Sequence, residues 1–238
     1  MLNKIILIII KIADYFHKNK IIKFLKNHGH RNFSVIIDVG AHHGESIKFF
    51  IKNFSFEKIY SFEPIPNIFE QLRKMTNKIN KDLKPKIRIE NFAIGSSNKR
   101  ILIKQMIESS SSTIRDINLN SKYFIKKKKL LYSDKKDFFN EVEIDQITLK
   151  KYLFQQSLNK IDFLKIDTEG YEFEVMLGLE EKIKDVRLII FEHHYHDMIK
   201  KNYTFSDMHK LLIKNNFKQI FKTKMPFRKT FEYIYENK

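Results

Sequence analysis

IDFLKIDTEGYE, residues 161–172, decides how the whole chain folds. Ile161, Phe163, Leu164 and Ile166 form a nearly continuous apolar run, the pattern of a strand buried on both faces. Lys165, Asp167 and Glu169 then place one cation and two carboxylates at the carboxyl end of that run, before Gly170 turns the chain into a helix. Such groups are costly to bury unless they are paired or used. In an open α/β sheet the carboxyl ends of the strands are where ligands bind. The stretch predicts a parallel sheet with chemistry at this strand's end.

The flanking sequence repeats the pattern. VIIDVGAHHGES (Val35 to Ser46) reads as strand, glycine turn and helix start, with the helix running from Glu45 to about Asn53. KIYSFEP (Lys58 to Pro64) is a second strand, and Pro64 and Pro66 open a helix through about Asn80. KIRIENFAIG (Lys86 to Gly95) is a third strand, and RILIKQM (Arg100 to Met106) an added one of alternating pattern. Residues 107–140 are Ser-rich and carry four consecutive lysines, Lys126 to Lys129. They read as a long loop or partly helical insertion over one end of the sheet. EVEIDQITLKKYL (Glu141 to Leu153) returns to a strand and a short helix. The helix after the opening stretch is expected to carry on past Gly178. RLIIFEHH (Arg187 to His194) is another buried strand ending in polar groups, and Thr204 to Asn215 an amphipathic helix on Met208, Leu211 and Leu212. FKQIFKT and FEYIYEN close the chain as an antiparallel pair. The alternation predicts an α/β fold with a doubly wound, mainly parallel sheet and a C-terminal antiparallel hairpin. At 238 residues it divides into an N-terminal helical segment, 1–30, and one domain, 31–238, with the insertion at about 107–140.

Lys and Arg number 45 against 28 Asp and Glu, a net charge of +17. Such a surface favours polyanions, meaning nucleic acid, anionic lipid or acidic glycans. A compositional bias towards Lys, Ile, Asn and Phe accounts for it equally well. There is no cysteine, which excludes a disulfide framework, a thiolate metal site and a Cys nucleophile. The apolar run from Ile5 to Ile10 is too short to span a bilayer. It is not followed by a small-residue cleavage site. Lys4, Lys11 and Lys18 recur every seven residues and form a basic stripe on an apolar helix. Packing on the domain is the first expectation for this helix, and peripheral contact with an anionic membrane the second. The expected location is cytoplasmic, at most peripheral to the inner face of the membrane.

Gly40 and Gly44 let the backbone pass close to a ligand at a helix N-terminus. Asp38, just before them, would repel a pyrophosphate but suits an ammonium or sulfonium, which favours S-adenosylmethionine over a dinucleotide. Glu63 stands 23 positions beyond Gly40, the spacing at which an acidic residue receives ribose hydroxyls. Asn91 and Ala93 fall where the adenine ring would lie.

DVGAHHGES, SFEPIP, ENFAIG, DFLKIDTEGYE with Gly178, and FEHH occur in the order seen in FkbM-like methyltransferases. The resemblance runs from Val35 to His194, about two-thirds of the chain, and KIDTEGYE is its most specific part. It implies a class I methyltransferase (Rossmann-like) fold, S-adenosylmethionine as cofactor and methyl transfer to a hydroxyl of a sugar or polyketide. Carried over by position, Asp38, Gly40, Glu63 and Asn91 would hold the cofactor, with His42 and Gly44 in the same turn. His42 stands where the family commonly has Asn, and it can still donate a hydrogen bond.

Methyl transfer to an alcohol needs an aligned nucleophile and a group to take its proton. Asp167 is at the expected strand end, and Lys165, two residues earlier on the same face, would pair with it or orient the acceptor. Glu169 lies at the following turn, and Glu192 and His194 close the next strand. His194 matches a His found after the strand-end Glu in many members, and a neutral imidazole is a sensible base. His193 and His196 read as surface or packing residues. Asp167, Glu169, Glu192 and His194 are of metal-ligand type, but their spacing matches no ligand signature and no metal is expected. The implied activity is S-adenosylmethionine-dependent O-methylation of a sugar hydroxyl on a surface glycan or its precursor. The partner is then a small-molecule or glycan acceptor, an anionic one suiting the lysines of the insertion, and nucleic acid is not expected. An RNA methyltransferase and a non-catalytic binding protein on the same fold are the alternatives.

Overall fold

The computed structural model describes the backbone of residues 2–82, 86–131 and 138–238, and the side chains of residues 9, 10, 12–79, 87–129 and 138–238. The chain runs α1 (Leu2–Asn27), β1 (Asn32–Val39), α2 (Glu45–Asn53), β2 (Ser55–Phe62), α3 (Pro66–Asp82), β3 (Lys86–Glu90), β4 (Ala93–Ile94) and β5 (Lys99–Met106). It continues through β6 (Asp116–Ile117), α4 (Lys122–Leu131), β7 (Phe139–Ile147), α5 (Leu149–Gln155), β8 (Ile161–Ile166) and α6 (Glu172–Leu177). A 3-10 turn (Glu180–Asp185), β9 (Val186–His194), β10 (Ile199–Lys200), α7 (Phe205–Lys214), β11 (Phe217–Lys224) and β12 (Thr230–Asn237) complete it.

A seven-stranded sheet has the order β11-β12-β9-β8-β1-β2-β3. β12 is antiparallel to both its neighbours, β11 and β9, and the remaining pairs are parallel. This is the doubly wound sheet with a C-terminal antiparallel hairpin that the sequence predicts. The two faces are apolar for a period-2 reason. Ile36 of β1, Phe163 of β8, Leu188 and Ile190 of β9 and Ile234 of β12 share one face, covered by Ile21 and Leu25 of α1 and by Ile47 and Phe50 of α2. Ile37, Leu164, Ile189 and Tyr233 point the other way, into a second cluster with α5, α6 and α7. Thr204 and Asp207 start α7 with a reciprocal capping box.

Two expectations are corrected. KIRIENFAIG is two strands: β3 ends the large sheet, and β4 leaves it for a small sheet ordered β4-β7-β5. The break falls at Asn91, whose Nδ2 donates to the carbonyls of Glu63 (2.9 Å) and Pro64 (3.0 Å). The helix after KIDTEGYE stops at Leu177. A Cβ on Gly178 would lie 2.1 Å from the Gly95 carbonyl oxygen, and the chain leaves the helix at that backbone contact. The insertion holds α4 and a two-strand ladder of β6 with β10, which fastens it to the chain beyond β9. Residues 132–137 of the insertion lie outside those described.

Candidate active site

The site grows from the same alternation that builds the core. On β8 the face carrying Phe163 next presents Lys165 and then Asp167. On β9 the face carrying Leu188 and Ile190 next presents Glu192 and His194. Strand register sets Lys165 beside Asp38 of β1, Glu192 opposite Glu232 of β12, and His194 opposite Thr230. The strands thus turn from apolar to charged on one face as they reach their carboxyl ends. Lys165, Asp167, Glu192, His194, Thr230 and Glu232 floor a cavity of about 1080 Å³. Its walls come from the loops after β1, β2 and β8, from Phe92 and β4, from Ser109 to Ser112 and α4 of the insertion, from α1, and from the turn between β11 and β12.

Of the expected cofactor residues, Glu63 and His42 meet on the wall. Glu63 is 5% exposed, and its two carboxylate oxygens accept the backbone N–H groups of His42 and Ile65, each at 2.9 Å. Burial pushes its carboxyl up to about 7, against the opposing pull of those amides and of His42. His42 sits in the left-handed region (φ 47°) and places Nε2 2.7 Å from Ser109 Oγ and Nδ1 3.4 Å from Glu45. Burial favours the neutral ring, but Glu45, Glu63 and Asp167 outweigh it and raise the His42 pKa. Ala93 lines the cavity between Phe92 and Ile94.

Four others take different places. Asp38 is fully buried beneath the floor, not on the wall, held by Lys165 Nζ at 3.2 Å and by Ser61 Oγ at 3.3 Å. Gly40 lines the cavity with φ +87°, yet the group crowding it is protein: a Cβ would stand 1.9 Å from the Asp167 carbonyl oxygen. Gly44 faces α3, where a Cβ would meet Met75 at 1.9 Å. Asn91 spends its amide on the turn after β2, as above. Asp38, Gly44 and Asn91 shape the site from behind, and Gly40 lines it.

The expected catalytic set converges on the floor. Lys165 Nζ bridges Asp38 and Asp167 (3.3 Å). Burial disfavours its charge, but Asp167, Asp38 and Glu192 together raise its pKa, so it stays a cation. Glu169 Oε2 lies 3.3 Å from His194 Nε2, and His194 Nδ1 is 2.9 Å from Thr230 Oγ1. Burial raises the Glu169 carboxyl, with His194 and Lys127 opposing. The last residue of the motif is a brace. Glu172 is fully buried, accepts the Gly170 N–H (2.8 Å) and binds the Tyr203 hydroxyl (2.5 Å), fixing the turn that carries Asp167 and Glu169. Among the described residues no group of three or more His, Asp or Glu side chains is arranged to hold a metal ion.

Sequence reasoning named Glu192 without giving it a role. It lines the cavity, and among the described residues nothing hydrogen-bonds to it. Burial, then the nearby Asp167, Glu232 and Glu169, raise its carboxyl well above the ordinary 4.5, with Lys165 opposing. His196, expected as a packing or surface residue, lines the cavity with its ring stacked on Tyr123 (4.0 Å, 12°). His193 is a packing residue, on the opposite face. Asp14, His17 and Lys18 of α1 also reach the cavity; Asp14 pairs with Arg228 and His17 with Glu232. No local signal could have found these pairs, whose partners lie more than two hundred positions away.

A family model described as the methyltransferase FkbM domain matches residues 38–219. No curated protein gives a significant match. The solved structure of methyltransferase FkbM from Methylobacillus flagellatus KT aligns with a TM-score of 0.52 at 14% identity, over 85% of this chain and 43% of that one. The chain therefore spans less than half of that relative. The magnesium protoporphyrin IX methyltransferase of Synechocystis PCC 6803, solved with bound SAM, aligns with a TM-score of 0.53 at 9% identity, over 96% of this chain and 82% of that one. At these identities the likeness is one of fold.

Proposed function

The chain belongs to the FkbM methyltransferase family, and from that premise we propose that it is an O-methyltransferase acting on a sugar hydroxyl of a surface glycan or its precursor. S-adenosylmethionine is the cofactor, and when bound it supplies an electrophilic methyl carried on a sulfonium. The residues present fit it. Each Glu63 oxygen keeps a lone pair beyond its amide contact, enough for ribose hydroxyls. Ile65, Phe92, Ala93 and Ile94 give an apolar wall suited to a purine. Pockets for one small ligand are about 300–1,000 Å³, so a cavity of about 1080 Å³ leaves room for an acceptor as well.

The observation that carries the reading is Glu192, a cavity-facing carboxylate without a hydrogen-bond partner among the described residues. Asp167 is already engaged by Lys165 and His194 Nδ1 by Thr230, while His194 Nε2 faces Glu169 at 3.3 Å without a hydrogen bond. In this reading Glu192 takes the proton of the acceptor hydroxyl. Asp167, Glu169 and His194 accept or donate hydrogen bonds to the other hydroxyls and hold the acceptor in line. The stacked Tyr123 and His196 rings offer a flat face for a sugar.

The test is incubation with methyl-labelled S-adenosylmethionine and either extracted glycans, nucleotide sugars or RNA. Label in base-stable methyl ethers of the glycan or nucleotide-sugar fraction is expected, and its loss in Glu192→Gln. Label confined to RNA would overturn the acceptor class.

A further inference from the structure

α1 carries more apolar surface than the fold uses. Its inward side is spent on the sheet through Ile21 and Leu25 and on the cavity through Ile10, Asp14 and His17. On its outward side Ile12 and Phe16 are 53% and 61% exposed, and Tyr15 57%; Ile9, 48% exposed, sits at the edge of the cavity. The spacing of four puts Ile12 and Phe16 in one stripe. Phe227, in the turn between β11 and β12, is 74% exposed. The bidentate Asp14–Arg228 pair (2.7 and 2.9 Å) fastens that turn beside the helix, and both segments border the cavity.

The charge around these side chains has one sign. Lys18, Lys20 and Lys23 on α1 and Lys222, Lys224 and Lys229 on the hairpin are exposed. Asp14 is the one acid in the α1 sequence, and Arg228 pairs it; residues 217–229 contain none. Among the described residues no helix is long and apolar enough to cross a membrane. A lysine-flanked helix with bulky apolar side chains on one side has the chemistry of an interfacial helix.

We infer that α1 and the 225–229 turn dock on an anionic lipid bilayer, with the mouth of the cavity at the membrane surface. A second copy of the chain fits less well. A two-fold interface sets the same patch against itself, and here that would oppose lysine to lysine. A bilayer takes up separate projecting side chains and supplies the negative charge. Presentation of a lipid-anchored glycan precursor to the cavity would follow, and that consequence rests on the proposed acceptor class; the docking does not.

The experiment is co-sedimentation of the full chain with vesicles of phosphatidylglycerol and phosphatidylcholine, against phosphatidylcholine alone. Binding to the anionic vesicles is expected, weakened by salt. It should fall at least tenfold in Ile12→Ser/Phe16→Ser and in Lys20→Glu/Lys23→Glu. Both double variants should bind S-adenosylmethionine as wild type does, since none of these residues lines the cavity. Equal partitioning of wild type and variants, or no vesicle binding, would overturn the proposal. So would a concentration-dependent dimer in light scattering that the same substitutions abolish without any vesicle binding. Failure of the glycan assay would leave vesicle binding intact, so the two ideas can fail separately.

Discussion

Glu63 performs two tasks with one carboxylate. It closes the turn after β1 by accepting the His42 N–H and the turn after β2 by accepting the Ile65 N–H. Glu63→Gln keeps the size but turns an NH₂ donor towards one of those amides, leaving a buried N–H unpaired. Charge-assisted hydrogen bonds are worth roughly 1.5–3 kcal/mol, so calorimetry should record S-adenosylmethionine affinity about tenfold to a hundredfold weaker. Burial holds the Glu63 carboxyl at about 7, so the ionised acceptor form grows as pH rises through that value. Wild-type affinity should therefore strengthen between pH 6 and 8, and a flat profile would remove Glu63 from the ribose. Glu192 gives the complementary test. Removing a general base typically costs about 10²–10⁴ in rate, so Glu192→Gln should lose kcat with cofactor affinity retained. In wild type, the carboxyl is raised by burial and by Asp167, Glu232 and Glu169, opposed by Lys165, with Arg228 and the His17–Glu232 pair also close. A base must be deprotonated, so the rate should climb with pH through that raised value. Unchanged kcat in Glu192→Gln would place the proton elsewhere.

At the scale of elements, the crossing of the β1–α2 turn over the end of β8 is the tightest joint in the site. Gly40 combines φ +87° with a position where any Cβ would stand 1.9 Å from a backbone oxygen, and neither strand end can yield without moving Asp167. Gly29 has nearly the same φ, +82°, but open space around it. A left-handed non-glycine residue costs about 1 kcal/mol by conformation alone. With the clash added, Gly40→Ala should cost about 3 kcal/mol or more and lower Tm by roughly 10 °C. Gly29→Ala should stay within a few degrees, and equal melting curves for the two would disprove the crossing. The sequence does mark Gly40, but its spacing suggests a ligand as the crowding group, when the contact is with a carbonyl 127 positions away. The same limit explains the misread strand. KIRIENFAIG has an unbroken β pattern, and only the tertiary bonds from Asn91 to the β2–α3 turn show where it divides. The helix after KIDTEGYE ends at its C-cap Gly178, a glycine whose stop signal the expectation of a longer helix overlooks, and the close approach of the Gly95 backbone explains why a glycine stands there. Strands that are nearly continuous apolar runs, such as β8 and β9, and helices with a clear 3.6 period, such as α2 and α7, are legible because burial alone specifies them.

At the scale of the whole molecule, α1 belongs to the core at one end and to the cavity at the other. Its apolar, lysine-spaced sequence is legible as a helix, but nothing local says that its upper half walls the site. That follows from Asp14 meeting Arg228 and His17 meeting Glu232, contacts made only once β12 has folded beside β9. The two ends should respond differently to substitution. Leu25 is fully buried among Phe33, Ile36 and Phe50, and Leu→Ala at such sites costs about 2–5 kcal/mol. At about 2–4 °C per kcal/mol for a chain of this size, Leu25→Ala should lower Tm by roughly 5–15 °C. Asp14 and Arg228 are 27% and 30% exposed, and a pair so solvated contributes at most about 1 kcal/mol. Asp14→Ala should hardly move Tm, yet it frees the 225–229 turn, which lines the cavity where the proposed reading seats the acceptor. Its expected signature is an acceptor KM raised severalfold, with S-adenosylmethionine affinity unchanged, because Glu63 and Ala93 lie on other walls. Steady-state kinetics with acceptor varied at saturating cofactor separates the two effects. An unchanged acceptor KM in Asp14→Ala would mean that α1 closes the fold without shaping the acceptor site.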